Sequence, residues 1–272
     1  GGQSIDGTNA SQTFNSITVT KNSQTLSGAG NLQVLTLNGT LLLATGIFAA
    51  GTATNINVAG DWINNSATFT PGTSTVTFSG GGAQNLGGAV ATASFNNFIV
   101  NKGGGTLTVF LSLTTLTVGG NLTLTAGTFA AGTATAIAVA GNWTNNGGTF
   151  TPGAGTETVT FDGAAGQTIG GTTATTFNRL TNSDAGGLSM TNDNTVNGIL
   201  ALTSSDITVA ATKTLTQPST APASTGTGDV VGNVKRTGAP LPSTALTYGN
   251  LDNLISFTAG TRPTDITVRL TK

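Results

Sequence analysis

Residues 115–129 read "TLTVGGNLTLTAGTF", and their alternation decides the fold class. Leu116, Val118, Leu122 and Leu124 fall on one side of an extended chain, with threonines on the other. A period of two marks a half-buried β-strand, because successive side chains point to opposite faces. "INVAGDW" (56–62) and two "TVTF" runs (75–78 and 158–161) repeat the pattern. β-Branched and aromatic residues suit such strands. Between the runs stand Gly-Gly, Asn-Asn, Asn-Gly and Pro-Gly pairs, which tolerate or preset the backbone angles of tight turns. No long stretch carries a helical period, so the chain reads as all-β.

The strands belong to a longer repeat. "AGDWINNSATFTPGTSTVTFSG" (59–80) and "AGNWTNNGGTFTPGAGTETVTFDG" (140–163) are nearly one sentence written twice. Phe48 and Phe129, Trp62 and Trp143, and Pro71 and Pro152 each lie 81 residues apart. An insertion within residues 153–157 then sets Phe78 against Phe161 and Gln84 against Gln167. The same alignment joins Gln3 to Gln84, Phe14 to Phe95 and Phe177, and Lys21 to Lys102. Leu41 and Leu43 match Leu122 and Leu124, then Leu200 and Leu202. The chain thus holds about two and a half copies ending near Ser205, and such periods signal units that bury their apolar faces on neighbours.

A propeller blade is shorter, near 40–50 residues, and a sandwich does not repeat at this length. A solenoid of parallel strands fits better, with three or four coils per repeat and roughly 20–27 residues per coil. The alternative is a β-sandwich with long hairpins. In the solenoid, like positions are expected to stack about 4.8 Å apart. Phe14, Phe48, Trp62, Phe69, Phe78, Phe95, Phe129, Trp143, Phe150, Phe161 and Phe177 are the expected core, with asparagines laddered at the bends. Both tryptophans follow Val-Ala-Gly on the face of Val58 and Val139, which favours packing over a sugar platform. The solenoid is assigned to residues 1–206. "TQPSTAPASTGTG" (216–228) reads as a linker or loop, so 207–228 is set apart and 229–272 is taken as a small C-terminal β module.

Composition excludes several functions. Charged residues make up 7% and the net charge is −1, too little for the basic patch a nucleic-acid partner requires. The chain has no Cys and no His, which removes disulfides, thiolate chemistry and the commonest general base and metal ligand. No apolar run reaches the ~18–20 residues of a transmembrane helix. Asp61, Glu157, Asp162, Asp184, Asp193 and Asp206 are the carboxylates to consider for polysaccharide cleavage. They change between copies: Asp61 becomes Asn142, and Ser79 becomes Asp162. No catalytic, cofactor or metal site is therefore assigned, and the chain is not expected to be an enzyme. Thr-x-Thr pairs are frequent but irregularly spaced, which makes an ice-binding face the weakest of the binding readings.

"AGNWTNN", "TFTPG", "TVTF", "QTIGG" and "FNRL" together resemble the repeats of large secreted bacterial surface proteins, adhesin-like chains of right-handed parallel β-helix. "GDVVGNVKRTG" (228–238) resembles the segment that opens a terminal β-domain in such chains. The resemblance implies an extracellular, cell-surface, structural or adhesive role and carries no catalytic residues.

The ends suggest assembly. Gln3 begins in mid-repeat, so the first coil is expected to present an open strand edge, which recruits other chains; either the chain is cut from a longer one or a neighbouring copy supplies the cover. Residues 1–206 hold three basic and seven acidic side chains, and residues 207–272 hold six and three. The leading expectation is a subunit of a self-assembling filament or surface fibre. It would be joined head to tail through Gln3 and Ile5 at one end and Lys235, Arg236, Ile266, Val268 and Leu270 at the other, its partners being other copies of itself. The runner-up is an adhesin fragment that binds carbohydrate or another surface along its Thr/Asn face.

Overall fold

A computed structural model describes residues 1–272 apart from Ala154, Thr156, Ser204, Ala239 and Ala259, so part of the 153–157 insertion lies outside the described residues. The chain is an all-β, parallel β-solenoid of about 11 turns, with no helix among the described residues and a small antiparallel sheet at its C-terminal end. Each turn lays one strand on each of three faces.

The first face begins with Gln3–Ile5 and runs through residues 25–28, 47–49 and 68–70. After a break it continues from Thr92–Phe95 through Thr115–Val118, Ala136–Val139, Thr158–Phe161, Arg179–Asn182 and Leu200–Leu202 to Thr225–Gly226. The second face runs unbroken from Ser11–Phe14 through Val34–Leu37, Asn55–Val58 and Thr75–Phe78 to residues 230–231. The third face starts at residues 17–19, breaks between Thr149–Thr151 and Thr175–Phe177, and ends at residues 233–237. Coil length varies with the bends. Leu188 pairs with Ile207, 19 residues on, whereas Trp143 pairs with Ile169, 26 residues on.

The repeat does not fit a whole number of turns. Passing from Leu41 to Leu122 takes eleven strand positions, which is three and two-thirds turns of a three-faced coil. Each copy is therefore rotated by one face. Leu41 lies on the third face, Leu122 on the second and Leu200 on the first. Trp62 and Trp143 likewise sit on different faces. This corrects the expectation that like positions of the repeat stack.

Alternation places the apolar side chains inward. Phe48, Trp62, Phe78, Phe95, Phe129, Trp143, Phe150, Phe161 and Phe177 are buried, and Phe69 is partly buried against them. Phe14 differs: it is 38% exposed, because its first-coil strand is paired on one side only, whereas its equivalents Phe95 and Phe177 have coils on both sides. The solenoid also runs beyond Ser205. Ile207–Val209 and Thr214–Pro218 pair in parallel with the coils before and after them, so residues 207–218 are scaffold and not linker. Their Thr and Ala content hides strands of three and five residues with buried Ile207, Val209 and Leu215.

The core cap at the C-terminal end is different in kind. Asp265–Leu270 pairs antiparallel with residues 232–237 of Val230–Thr237, and Leu246–Thr247 pairs with Leu254–Ile255. Leu241, Leu246 and Tyr248 close the interior there.

Two outcomes follow from this packing. Trp143→Ala should cost about 3–5 kcal/mol, the range for deleting a large buried aromatic, read from the urea midpoint. Leu111 has φ +59° and is 61% exposed, where its repeat equivalent Gly30 has φ +60°. Since the left-handed region costs a side-chain-bearing residue about 1–2 kcal/mol, Leu111→Gly should raise the urea midpoint.

Candidate functional site: bends, ladder break and ends

Three of the six candidate carboxylates accept a backbone hydrogen bond from the next coil, whereas Asp184 Oδ2 accepts from Gln167 N–H (2.8 Å) on the coil before. Asp61 Oδ1 accepts from Asn85 N–H (2.7 Å), Asp193 Oδ1 from Thr214 N–H (2.8 Å) and Asp206 Oδ1 from Asp229 N–H (2.9 Å). Asparagine does the same work. Asn97, Asn121 and Asn142 each accept from the backbone one coil further on, at 2.8–2.9 Å, forming a short ladder. This explains why Asp61 and Asn142 interchange between copies: the bend requires an acceptor oxygen, and the charge is dispensable. Among the described residues, no three acidic side chains gather into a possible metal cage.

A conserved-in-repeat glutamine ties each copy together. Gln84 Nε2 donates to Val58 O (2.8 Å) and to Gly60 O, and Gln167 Nε2 donates to Val139 O (2.8 Å) and to Gly141 O. Lys102, fully buried, donates from Nζ to Gln84 Oε1 at 2.8 Å, and Lys21 repeats the contact to Gln3. Burial lowers the Lys102 pKa, opposed by the negative charge of Asp61.

Glu157 is the one strongly shifted acid. It is 1% exposed; Oε2 accepts from Gly153 N–H at 3.2 Å and Oε1 has no partner among the described residues. Burial pushes its carboxyl up to about 7, against opposing hydrogen bonds from Asn178 and Gly153 and the charge of Arg179. Folded protein thus holds a proton that the unfolded chain has released. The resulting stability is present below the ordinary value of 4.5 and is lost as pH rises towards about 7. Melting temperature should accordingly fall by a few degrees between about pH 5 and about pH 8, and Glu157→Gln should flatten that decline.

Both interruptions of the strand ladders occur at equivalent places in the repeat, and the tryptophans plug them. In the first copy Trp62 packs edge-on to Phe69 (4.8 Å between centroids) and Phe95 (5.2 Å). In the second, Trp143 meets Phe150 (5.0 Å) and Phe177 (5.2 Å) in the same way. The glycine after each plug is obligatory. Gly88 (φ +132°) and Gly171 (φ +108°) lie where a Cβ would come within 2.0 Å of Asn64 O and 2.1 Å of Asn145 O. The tryptophans are 1% and 0% exposed, so neither ring offers a face for stacking. A cleft of about 210 Å³ opens at the first plug, lined in part by Trp62, Phe69, Ala93 and Phe95.

The outward threonine rows are broken. Thr117 is followed along its face by Ala138, Thr160, Thr181 and Ala201, and Thr36 by Asn57, Thr77 and Ile99. Neither row forms a regular threonine ladder.

At the first coil, Gln3–Ile5, Ser11–Phe14 and residues 17–19 are paired on one side only. Gln3 is exposed and Ile5 is 9% exposed. At the other end Ile266, Val268 and Leu270 are partly buried against the core, while Asp265, Thr267 and Arg269 face outward. Lys235 pairs with Asp265 at 3.1 Å. Arg236 is wholly buried: Nε donates to Thr247 O (2.7 Å), Nη2 to Thr247 Oγ1 (2.8 Å) and Nη1 to Pro218 O (3.2 Å). It latches the cap to the solenoid and is not a surface for another chain, contrary to its reading from sequence. Lys272 ties the cap from outside, its Nζ lying 2.8 Å from Asp206 Oδ2 and 3.1 Å from Asp229 Oδ2. Sequence reasoning passed over Tyr248, Leu241 and Lys272, which do the capping; the lone tyrosine of the chain was the available signal.

No family model, no curated protein and no solved structure matches this chain. No helix among the described residues is long and apolar enough to cross a membrane.

Proposed function

We propose that the protein is an extracellular structural element, a rigid β-solenoid rod that joins end to end with other copies in a filament or cell-surface fibre. The observation that carries this reading is where the large apolar side chains remain exposed. Among the described residues these are Phe14, Leu111, Leu251 and Leu254. Phe14 lies on the open first coil. Leu251 and Leu254 belong to the hairpin segment whose Tyr248 and Gly249 seat it on the last coil, Gly249 O accepting from Val230 N–H at 3.2 Å. Three of the four lie at the two ends of the described stack, and Leu111 stands at mid-rod.

Unpaired strand edges beside an exposed phenylalanine form a surface for strand addition. The free edge of Asp265–Leu270, with Ile266, Val268 and Leu270 aligned, is a matching strand. A head-to-tail contact that does not close on itself builds a filament. Apolar surface in the contact supplies about 25 cal/mol per Å² buried, so losing Phe14 matters.

Negative-stain electron microscopy of concentrated protein should show particles joined along the solenoid axis. Phe14→Glu should return them to single rods with unchanged circular dichroism. Uniformly single rods from the unaltered protein would remove the end-to-end reading.

A further inference from the structure

The two tryptophan plugs share one geometry but differ in one hydrogen bond. In the second copy Trp143 Nε1–H donates to Thr175 Oγ1 at 3.3 Å, and Asn145 Nδ2 donates to the same hydroxyl (3.3 Å) and to Ala174 O (3.3 Å). These bonds draw residues 174–175 over the plug, and Phe150 is 5% exposed. In the first copy, Ala93 stands two residues before Phe95, as Thr175 stands two before Phe177. The hydroxyl is gone. Asn64 turns instead onto its own bend, bonding Ala67 N and O, both at 2.9 Å. The result is the open cleft, with Phe69 only partly buried on its wall.

Trp62 is left with an indole N–H that has no partner among the described residues, on a side chain 1% exposed. Its ring meets Phe69 and Phe95 at nearly the distances and angles by which Trp143 meets Phe150 and Phe177, and Trp62 and Ala93 both line the cleft. The ring is buried, but Nε1 itself opens to the cleft, where a water or a ligand oxygen can accept from it. The remaining lining is Asn64, Ala67, Thr68, Val90, Thr92 and Ser94, so no charged side chain faces the space. The occupant is therefore neutral. It needs an acceptor oxygen for Trp62, an apolar patch for Phe69 and Phe95, and further hydroxyls for the Thr68, Thr92 and Ser94 rim.

We propose that this cleft is a binding site for one ring of a neutral carbohydrate, with Trp62 Nε1–H donating to a sugar oxygen and the ring's C–H face lying on Phe69. A pyranose combines those features in one molecule of this size: the cleft has the volume of about seven waters. Recognition through one donor and one aromatic wall in a small cleft gives weak, saturable binding, suited to a unit displayed many times on a surface. The site is independent of end-to-end joining, since it lies in mid-rod.

The test uses the two tryptophans as internal probe and control. The full chain, labelled with ¹⁵N, gives two indole N–H signals in an NMR correlation spectrum. Titration with methyl glucoside, methyl galactoside, methyl mannoside and N-acetylglucosamine, and with an oligomer of each unit, should move the Trp62 signal in a saturable way with at least one sugar. The Trp143 signal should stay in place, and charged glucuronate should have no effect. Ala93→Thr restores the hydroxyl that the second copy carries, and should weaken the response about tenfold or more while leaving the fold intact. The response of oligomer against single unit tells whether the ring is read free or as part of a chain. An unmoved Trp62 signal with every sugar would assign the cleft to water alone and overturn the proposal, as would an equal response of both indoles or an undiminished response in Ala93→Thr.

Discussion

Every strand of the solenoid depends on the coil before it and the coil after it. Parallel pairing satisfies backbone donors and acceptors between coils, and the same stacking brings inward side chains into one continuous core. A single coil has neither a closed hydrogen-bond set nor a buried interior. Burial therefore follows position in the stack as much as residue type. Phe95 and Phe177 are enclosed, whereas Phe14, the same residue of the repeat, is 38% exposed on the first coil. At the other end the chain changes tactic, turning Asp265–Leu270 antiparallel and folding Tyr248 and Arg236 into the interior.

Rotation of the repeat by one face per copy gives the rod its chemical character. A repeat of a whole number of turns would line each face with identical side chains and create long rows of one chemistry. Eleven strands over three faces scatter them. Thr117 is followed by Ala138, and Asp61 meets Asn85 one coil on. What survives rotation is whatever acts within a copy or between adjacent coils. That includes the Gln84 and Gln167 ties, the acceptor oxygens at bends, the obligatory Gly88 and Gly171, and the tryptophan plugs. The duplicated stretch around Trp62 and Trp143 is a device for closing a ladder break, and the break itself is part of the repeat.

Much of this was legible from sequence, for definite reasons. Period-two alternation around Leu116–Val118 and Leu122–Leu124 fixes strand and inward face, and the spacing of like residues fixes the repeat. The number of turns per repeat was hidden, because coil length follows bend size, and bends of Gly, Asn and Ser carry no mark of how many residues they use. Residues 207–218 read as linker because their strands are only three to five residues long, are rich in threonine, and run into the Pro/Ser/Thr/Gly stretch that follows. Arg236 looked available because charge normally means surface, while its burial rests on Thr247 and Pro218 carbonyls that no local pattern announces. The cleft beside Trp62 turns on Ala93 in place of Thr175, a small change whose meaning needs the neighbouring coil.

The central claim is the register of the parallel stack, and engineered disulfides test it most directly because the chain has no cysteine of its own. Thr77 and Ile99 are partners on adjacent coils of the second face, and Thr123 is the next partner beyond Ile99. Adjacent parallel strands lie about 4.8 Å apart, within disulfide reach, and two steps lie outside it. Mild oxidation should therefore link Thr77→Cys with Ile99→Cys and fail to link Thr77→Cys with Thr123→Cys. A free Thr77–Ile99 pair, or a ready Thr77–Thr123 bridge, would contradict the register on which the rotated repeat and the continuous core both rest.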